Sequence, residues 1–552
     1  MAGRLFVLQI LRSDEYGAAA EEQRTVTKVL PSNRGEIFLR DAGGLSPVAV
    51  NRRYSLVYAV PPHIGEGKET ARRLSEIVGV PEATLEEKFS KTNDPFEVVK
   101  RRVSDEEAER IRALALPGIG LLPEVYRYYP ADELLSQTLG FVGMKEDESV
   151  GQYGVEASFE EVLRGSGGAV SNERDAAGRW IPLAGRTFEA PIHGANIVLT
   201  VERVLQYEVE KILREAVNEF HADGGTIVVL EPKTGSIRAL ASLPNFNPNE
   251  YAKAENVEAF LNPAVSLTYE PGSIMKPITM AIGIEEGKVH AGTEYVDTGV
   301  VKEGGYAIRN AEEKVYGRVT MMKVLEESIN TGVIFVERSV GNSRFRNYLE
   351  RFGFGQETGV RLPAEASGNM QNLKNTNRSI EFFTASFGQG ITVTPLQIAN
   401  AYAALANRGI LMKPRIVERL LFSDGRSEEV PPEEIRSVVS ESTAREIGGM
   451  LRNVVVNGHG KRADVPGYSV VGKTGTAQVA KRGEKGYEEG MNIGSFVGYA
   501  PLENPEFVVL VKIDNPKDVV WAESSAAPTF GKVMKFLLES SGIPRTESER
   551  KG

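Results

Sequence analysis

In the stretch YEPGSIMKPITM, residues 269 to 280, a serine is followed three places later by a lysine, the two groups that a hydroxyl nucleophile and its base would need. Residues three apart on a helix share a face, so the Lys276 amine can approach the Ser273 hydroxyl if a helix begins there. Ile274, Ile278 and Ile282, with Met275 and Ala281, predict such a helix, ending at Glu285-Glu286-Gly287. Pro277 has no N–H to return to the Ser273 carbonyl, which puts the helix start at or just after the serine. Backbone N–H groups at that start can also stabilise a developing oxyanion. Taken alone, the motif reads more simply as an N-cap serine and a solvated lysine. Ser548-Glu549-Arg550-Lys551 repeats the spacing in a charged tail with no apolar face.

A serine acyl enzyme with a lysine base needs more: a second hydroxyl to relay protons, an amide to hold the substrate backbone and a cation to hold a substrate carboxylate. Ser328-Ile329-Asn330 meets the first two needs, in MMKVLEESINTGVIFV, where Ser and Asn leave an apolar helical pattern just before Gly332. Ser367-Gly368-Asn369 has the same spelling but lies in a polar, loop-like stretch, and Ser328 is preferred. Lys473-Thr474-Gly475-Thr476 meets the third need inside a strand-like run, with Gly475 letting a substrate backbone come close to the strand edge. Lys233-Thr234-Gly235 follows Pro232 between two strand-like runs, and turn chemistry accounts for it. The chemistry also sets a condition on charge. A free lysine titrates near 10.4, so a base acting around neutrality must sit about three pH units lower, roughly 4 kcal/mol. Burial against the Ile274, Ile278 and Ile282 face and the charge of Lys473 both act in that direction. The expectation is a neutral Lys276 facing a protonated Lys473.

The same letters carry a rival. Gly467 to Thr474 spells G-x-x-x-x-G-K-T, a phosphate-binding loop, and FVVLVKID ending at Asp514 imitates its acidic partner strand. That loop must follow a strand and open a helix, whereas here KRADVP precedes and GTAQVAKRG follows. Adjacent Val470 and Val471 also favour a strand.

Several elements must position these groups. Residues 20 to 190 mix strand-like pieces (RYSLVYAV), charged helical pieces (PEATLEEKF, SDEEAERIRALA) and a Gly-rich stretch (RGSGGAVSNERDAAGR), the composition of an irregular α+β module. Apolar positions from 201 to 220 predict a long amphipathic helix with Thr200 as N-cap and Gly224 as its stop. TIVVLE and SIRALAS then read as a hairpin around the turn at Pro232 to Gly235. The region from 273 to about 460 reads as mostly helical. One helix opens at a capping box, Thr394-Pro395-Leu396-Gln397, and closes near Asn407-Arg408-Gly409. YSVVGKTGTAQVA, NIGSFVGYAP and FVVLVKID follow in meander order, and a last helix is expected around 529 to 539. The sum is an α+β fold: one antiparallel sheet closed by strands from both ends of the region and covered by helices.

The bulk numbers agree and exclude. At 552 residues, 41% hydrophobic and 25% charged, the chain is globular and long enough for two or three domains. A net charge of -10 with both signs interleaved disfavours nucleic acid. The absence of cysteine excludes disulfides, thiolate nucleophiles and Cys-based metal sites. His63, His193, His221, His290 and His459 are scattered and read as structural. LFVLQIL, residues 5 to 11, is far short of the roughly 20 residues of a membrane helix.

Together, the motifs resemble those of class B penicillin-binding proteins, cell-wall D,D-transpeptidases, over nearly the whole chain. The resemblance rests on RGEIFLRD, RYYPADELLSQTLGFVG with GQYGVEASFEEVLRG, LEPKTGSIRALASLPNFNPNEY, YEPGSIMKP, ESINTG, FGQGITVTPLQIANAYAALANRG, VVGKTGTAQ and SFVGYAP. It implies a serine β-lactamase-like transpeptidase domain with a five-stranded antiparallel sheet, at 191–545, behind a pedestal or dimerisation-type domain at 21–190, an anchor-proximal segment at 1–20 and a tail at 546–552. It also implies Ser273 as the acylated nucleophile, Lys276 as base, Ser328 as proton relay and Asn330 as donor-peptide ligand. Lys473, Thr474 and Thr476 would hold the terminal carboxylate, Gly475 lying between them, with the N–H groups of Ser273 and Thr476 as oxyanion hole. Stem peptides ending in D-Ala-D-Ala would be the donors, an amine the acceptor, and β-lactams the inhibitors. No cofactor or metal is implied; a glycosyltransferase and divisome proteins are the implied partners. The implied place is the extracytoplasmic face of the bacterial cytoplasmic membrane, through an N-terminal helix not in this sequence. YEPGS and VTPLQIANAY lean towards the division branch. The alternatives are a carboxypeptidase or β-lactamase of the same fold, a P-loop NTPase, and a non-catalytic scaffold.

Overall fold

The computed structural model describes residues 25–545 apart from 92, 147, 174–186 and 482–485, together with positions 6, 10 and 12. Most of the apolar run at residues 5 to 11 and all of Ser548 to Lys551 lie outside these residues. Among the described residues no helix is long and apolar enough to cross a membrane.

The chain forms two compact units, and each draws on separated segments. The first gathers residues 1–36, 47–130 and 164–194. Its main sheet pairs Gly44–Ala59 antiparallel with both Glu97–Val103 and Ile119–Tyr128. Helices Gly67–Val78, Glu82–Phe89 and Asp105–Leu114 supply Leu74, Val78, Leu85 and Ile111 to a core shared with Val57, Val99 and Val103. The helical piece read at SDEEAERIRALA begins at a full capping box between Ser104 and Glu107, which satisfies the first free N–H groups of that helix. The Gly-rich stretch that reads as loop instead contains a strand, Gly168–Glu173, paired with Thr25–Leu30. Its partner is distant in sequence, so no local signal marks it.

The second unit gathers residues 37–46, 131–163 and 195–552. The two early segments join it by long-range bonding: Ile37 pairs parallel with Ile197, and Leu135 N donates to Glu210 Oε1 at 2.7 Å. Phe141 stacks on Tyr251 with ring centroids 4.2 Å apart. The unit is organised around α1 (Arg203–Glu219), β1 (Gly224–Glu231), β2 (Ser236–Leu243), α2 (Lys276–Glu285), α3 (Met321–Glu326), α4 (Asn330–Val340), α5 (Pro395–Ala406), α6 (Glu441–Asn457), β3 (Val471–Ala480), β4 (Tyr487–Ala500), β5 (Phe507–Asp514) and α7 (Ala526–Ser540). Strands β1 to β5 make one antiparallel sheet in the order β2-β1-β5-β4-β3. The hairpin, the meander and the closure by both ends are therefore as the sequence reads. Strand residues are buried on both faces, because helices cover both. Val229, Val511 and Phe496 meet Leu213 of α1 and Phe530, Val533 and Leu537 of α7. The alternate residues meet α5, which is buried along its whole length. The capping box expected at Thr394 and Gln397 is present, and α5 ends at Ala406.

One expectation fails at Thr200. It lies inside a strand, Asn196–Glu202, and its Oγ1 donates to Ile237 O at 2.7 Å rather than capping a helix. The helix starts only at Arg203, without a side-chain cap. The run IVLTV pairs with strands distant in sequence, and those pairings claim residues 201 and 202 that helical periodicity alone would assign to α1. The region from 273 to 460 is likewise less uniformly helical than its composition suggests. Four small antiparallel pairings among the described residues interrupt it: Glu294–Asp297 with Gly317–Thr320, Val300–Glu303 with Tyr306–Arg309, Ile410–Met412 with Glu434–Ser437, and Val417–Leu421 with Ser427–Glu429.

Candidate active site

Ser273 sits in a 3-10 turn, Gly272–Met275, that runs directly into α2. It makes no capping bond, which removes the N-cap reading, and among the described residues its Oγ has no hydrogen-bond partner. The turn is held from several sides. Gly272 N donates to Gly388 O at 3.0 Å, Tyr402 Oη of α5 donates to Ile274 O at 2.8 Å, and Glu270 accepts from Gly390 N at 2.8 Å and from Tyr487 Oη at 3.1 Å. Gly272 has φ +59, and a Cβ at Gly388 would lie 2.2 Å from Gly272 O. Only glycine permits this approach.

Lys276 is not solvated: it is 1% exposed. Its Nζ donates to Ser328 Oγ at 3.0 Å and to the Ser328 carbonyl. Burial, reinforced by the nearby charge of Lys473, holds its pKa well below the usual lysine range. Direction and causes are those that the sequence demands of a base. Ser328 joins α3 to α4 with a left-handed φ of 58°, uncommon for a residue with a Cβ. The helical pattern read across this stretch is thus two helices with a sharp break. Asn330 opens α4 rather than ending a helix, and Gly332 lies inside α4, where a Cβ would strike Val324 of α3. Asn330 Nδ2 donates to Arg309 O at 3.0 Å. Next to it Thr331 belongs to a polar hub that the sequence did not announce. Asp297 accepts from Thr331 Oγ1 at 2.6 Å, Tyr316 N at 2.8 Å, Gly299 N at 3.0 Å and Asn310 Nδ2 at 3.0 Å. These bonds, despite burial, keep its carboxyl below the usual range, so its charge fixes the 297–317 hairpins to α4.

On the third side is β3, an edge strand of the sheet, so groups on its outer edge have no strand partner among the described residues. A continuous strand from Val471 to Ala480, with the strand β4 as the next described element rather than a helix, excludes the phosphate-loop reading. Gly475 is required by the packing of the protein itself. A Cβ there would lie 2.9 Å from Pro271 O and 2.9 Å from Ile274 Cγ2, so the glycine lets the serine turn rest on the strand. Lys473 is fully buried, and desolvation lowers its pKa to about 7 against the opposing pull of Glu523. The lowered Lys276 is as expected, whereas the firmly protonated Lys473 is not: burial brings it to about 7, near neutrality.

These elements converge. Ser273, Lys276, Ser328, Asn330, Thr474 and Thr476 line one cleft of about 270 Å³, with Lys473 and Gly475 buried in the strand behind it. Ser367 and Asn369 are not among its lining residues, and Lys233 is at a turn tip, paired with Glu506 at 3.0 Å. The lining adds residues that carried no motif: Tyr316, Glu327, Trp521, Glu523 and His459. His459 Nδ1 lies 2.9 Å from Glu523 Oε2. Their spacing in sequence gave no signal, because the two meet only through the packing of the turn Ala522–Ser524 beside the loop after α6.

A buried lysine donating to a second serine, beside a free serine hydroxyl and an edge strand, is a site for acyl transfer through serine. Comparison with known proteins points the same way. The penicillin-binding protein transpeptidase domain matches residues 225–535 and the penicillin-binding protein dimerisation domain residues 29–199. Stage V sporulation protein D of Bacillus subtilis is 32% identical over 546 residues, covering 98% of this chain and 83% of that protein. Peptidoglycan D,D-transpeptidase FtsI of Escherichia coli is 29% identical over 551 residues, covering 98% and 90%. Penicillin-binding protein 3 of Mycobacterium tuberculosis, solved with aztreonam, superposes with a TM-score of 0.72 at 26% identity, covering 94% of this chain and 98% of that one. The chain belongs to the class B penicillin-binding proteins, with a dimerisation domain followed by a transpeptidase domain.

Proposed function

We propose that the chain is a peptidoglycan D,D-transpeptidase in which Ser273 is the nucleophile. The observation that carries this reading is the buried Lys276, donating to Ser328 Oγ at 3.0 Å in the cleft that Ser273, Asn330, Thr474 and Thr476 share. The uncharged amine of Lys276 takes the Ser273 proton as Oγ attacks the carbonyl of the penultimate D-Ala. The carbonyl oxygen turns towards the N–H groups of Ser273 and Thr476. The proton passes by way of Lys276 and Ser328 Oγ to the departing nitrogen, and the terminal D-Ala leaves as the C–N bond breaks. An acceptor amine then attacks the ester, the C–Oγ bond breaks, and the proton lost by the amine returns to Ser273 Oγ by the same relay. Asn330 aligns the donor backbone, while Lys473, Thr474 and Thr476 hold its carboxylate. β-Lactams acylate the same serine.

Residues 21–190 serve as pedestal or dimerisation module and 191–545 as the catalytic domain. The enzyme works at the extracytoplasmic face of the cytoplasmic membrane, beside a glycosyltransferase and other cell-wall proteins; the named relatives favour the division branch. Labelling with a fluorescent penicillin tests the assignment. An adduct is expected on Ser273, none is expected in Ser273→Ala, and acylation in Lys276→Ala should slow by about 10² to 10⁴. An adduct that survives Ser273→Ala overturns the site. Rapid release of label by water would favour a hydrolase of the same fold.

A further inference from the structure

The second half of the reaction starts with one proton too many. An alkyl amine titrates at about 10.4 in water, so the acceptor arrives as an ammonium and must lose a proton before its lone pair can attack the ester. Within the cleft a further positive charge is disfavoured by two buried lysines, Lys276 among the lining residues and Lys473 in the strand that carries Thr474 and Thr476. The relay through Lys276 and Ser328 is also committed, since it carries the second proton as the amide forms. The acceptor nitrogen comes to the place that the D-Ala nitrogen has left, past the strand that the departing carboxylate vacates. The first proton must be taken there.

One pair in the lining is placed to take it. His459 and Glu523 both line the cleft, and His459 Nδ1 lies 2.9 Å from Glu523 Oε2. A carboxylate only accepts, so the proton of this contact is on Nδ1 and the neutral ring keeps a lone pair on Nε2. Among the described residues Nε2 has no hydrogen-bond partner. Both members are anchored beside the reacting groups. Gly458, next to His459, rests on the end of α3, where a Cβ would lie 2.5 Å from Glu326 O, two residues before Ser328. Ala522, next to Glu523, donates its N–H to Thr476 Oγ1 at 3.1 Å. The other carboxylates of the lining are engaged already, Glu327 by Lys323 at 2.8 Å and Glu312 by Lys314 at 2.6 Å. With 43% and 44% of their side chains exposed, His459 and Glu523 can pass a proton on to water. We propose that His459, oriented by Glu523, is the base that takes the first proton from the acceptor ammonium. Nε2 accepts that proton and the freed lone pair attacks the acyl carbon. The second proton travels through the relay to Ser273 Oγ as the C–Oγ bond breaks, and the imidazolium returns its proton to water. The assignment rests on the transpeptidase reading and adds to it an acceptor base outside the three motifs.

The test sets an acceptor that carries the extra proton against one that does not. The full chain is acylated with an N-acyl-D-alanyl thioester. Transfer from the preformed acyl-enzyme to a peptide with a free lysine side chain is compared with transfer to hydroxylamine, which is uncharged at neutral pH, for the wild type, His459→Gln and Glu523→Gln. In His459→Gln, transfer to the lysine amine at saturating acceptor should slow by about 10², while transfer to hydroxylamine and penicillin labelling of Ser273 change by no more than about twofold. Glu523→Gln keeps the base but loosens its orientation, and should slow transfer to the lysine amine by about tenfold. Transfer to the lysine amine that is unchanged in His459→Gln, or transfer to hydroxylamine slowed by the same factor, overturns the role of His459 while the labelled serine stands. A wild type that takes no label on Ser273, or that passes its acyl group only to water, overturns the transpeptidase reading and this assignment with it.

Discussion

Glu337, on α4, has no exposed surface, and neither of its carboxylate oxygens has a hydrogen-bond partner among the described residues. Burial pushes its pKa up to about 8 from an ordinary 4.5, so the folded chain holds a proton that the unfolded chain releases above pH 4.5. Its contribution to stability is therefore complete below about pH 4.5, declines through the window between 4.5 and 8, and is lost above it. Glu337→Gln keeps the shape and removes the titration. Urea unfolding near pH 8.5 should find the variant more stable than the wild type, by on the order of a few kcal/mol, with the difference vanishing towards pH 4.5. A difference that does not change with pH would refute this account. The sequence places Glu337 on an apolar helix but says nothing of its protonation, which depends on what α4 packs against.

At the scale of elements, the serine turn and β3 are fitted to each other. The motif letters announce Gly475, but the reason read from them, room for a substrate backbone, is incomplete, because a Cβ there would also meet Ser495 Oγ at 2.7 Å and Pro271 O and Ile274 Cγ2 at 2.9 Å. Gly475→Ala should therefore displace the turn that carries Ser273. Overpacking at such a contact costs about 1 to 3 kcal/mol, and the acylation rate should fall by about 10² or more as the hydroxyl leaves its line of attack. Thermal denaturation and penicillin labelling of the same variant measure the two effects. Local rules do suffice at Thr394, where the capping box and Pro395 fix where α5 starts. They fail at Thr200 and at Ser328. There, pairing with distant strands and the bonds to Lys276 outweigh helical periodicity.

In the whole molecule, every residue lining the cleft belongs to the second unit. The first unit has its own core, with Leu74 and Leu85 fully buried. Leu74→Ala should destabilise that unit by about 2 to 5 kcal/mol, seen as a lowered calorimetric transition, while Ser273 still takes a penicillin label at room temperature. Loss of labelling in the folded variant would show that the first unit is needed to form the site. The interleaving of the two units was illegible beforehand, since Ile37, Leu135 and Phe141 look like neighbours of the residues around them and are bound instead to Ile197, Glu210 and Tyr251.

The sequence by itself determined the strands of the sheet, the helix behind the serine, and the strand that carries Lys473. Periodicity, caps and turn residues act over a few positions and are written in order along the chain. The tertiary structure alone decided that Lys276 loses its water and turns to Ser328, that Lys473 has no ion-pair partner among the described residues, and that His459 finds Glu523. Each of these is a matter of burial and of contacts between distant segments, and a pKa is set by the surroundings that such contacts create rather than by neighbours in sequence.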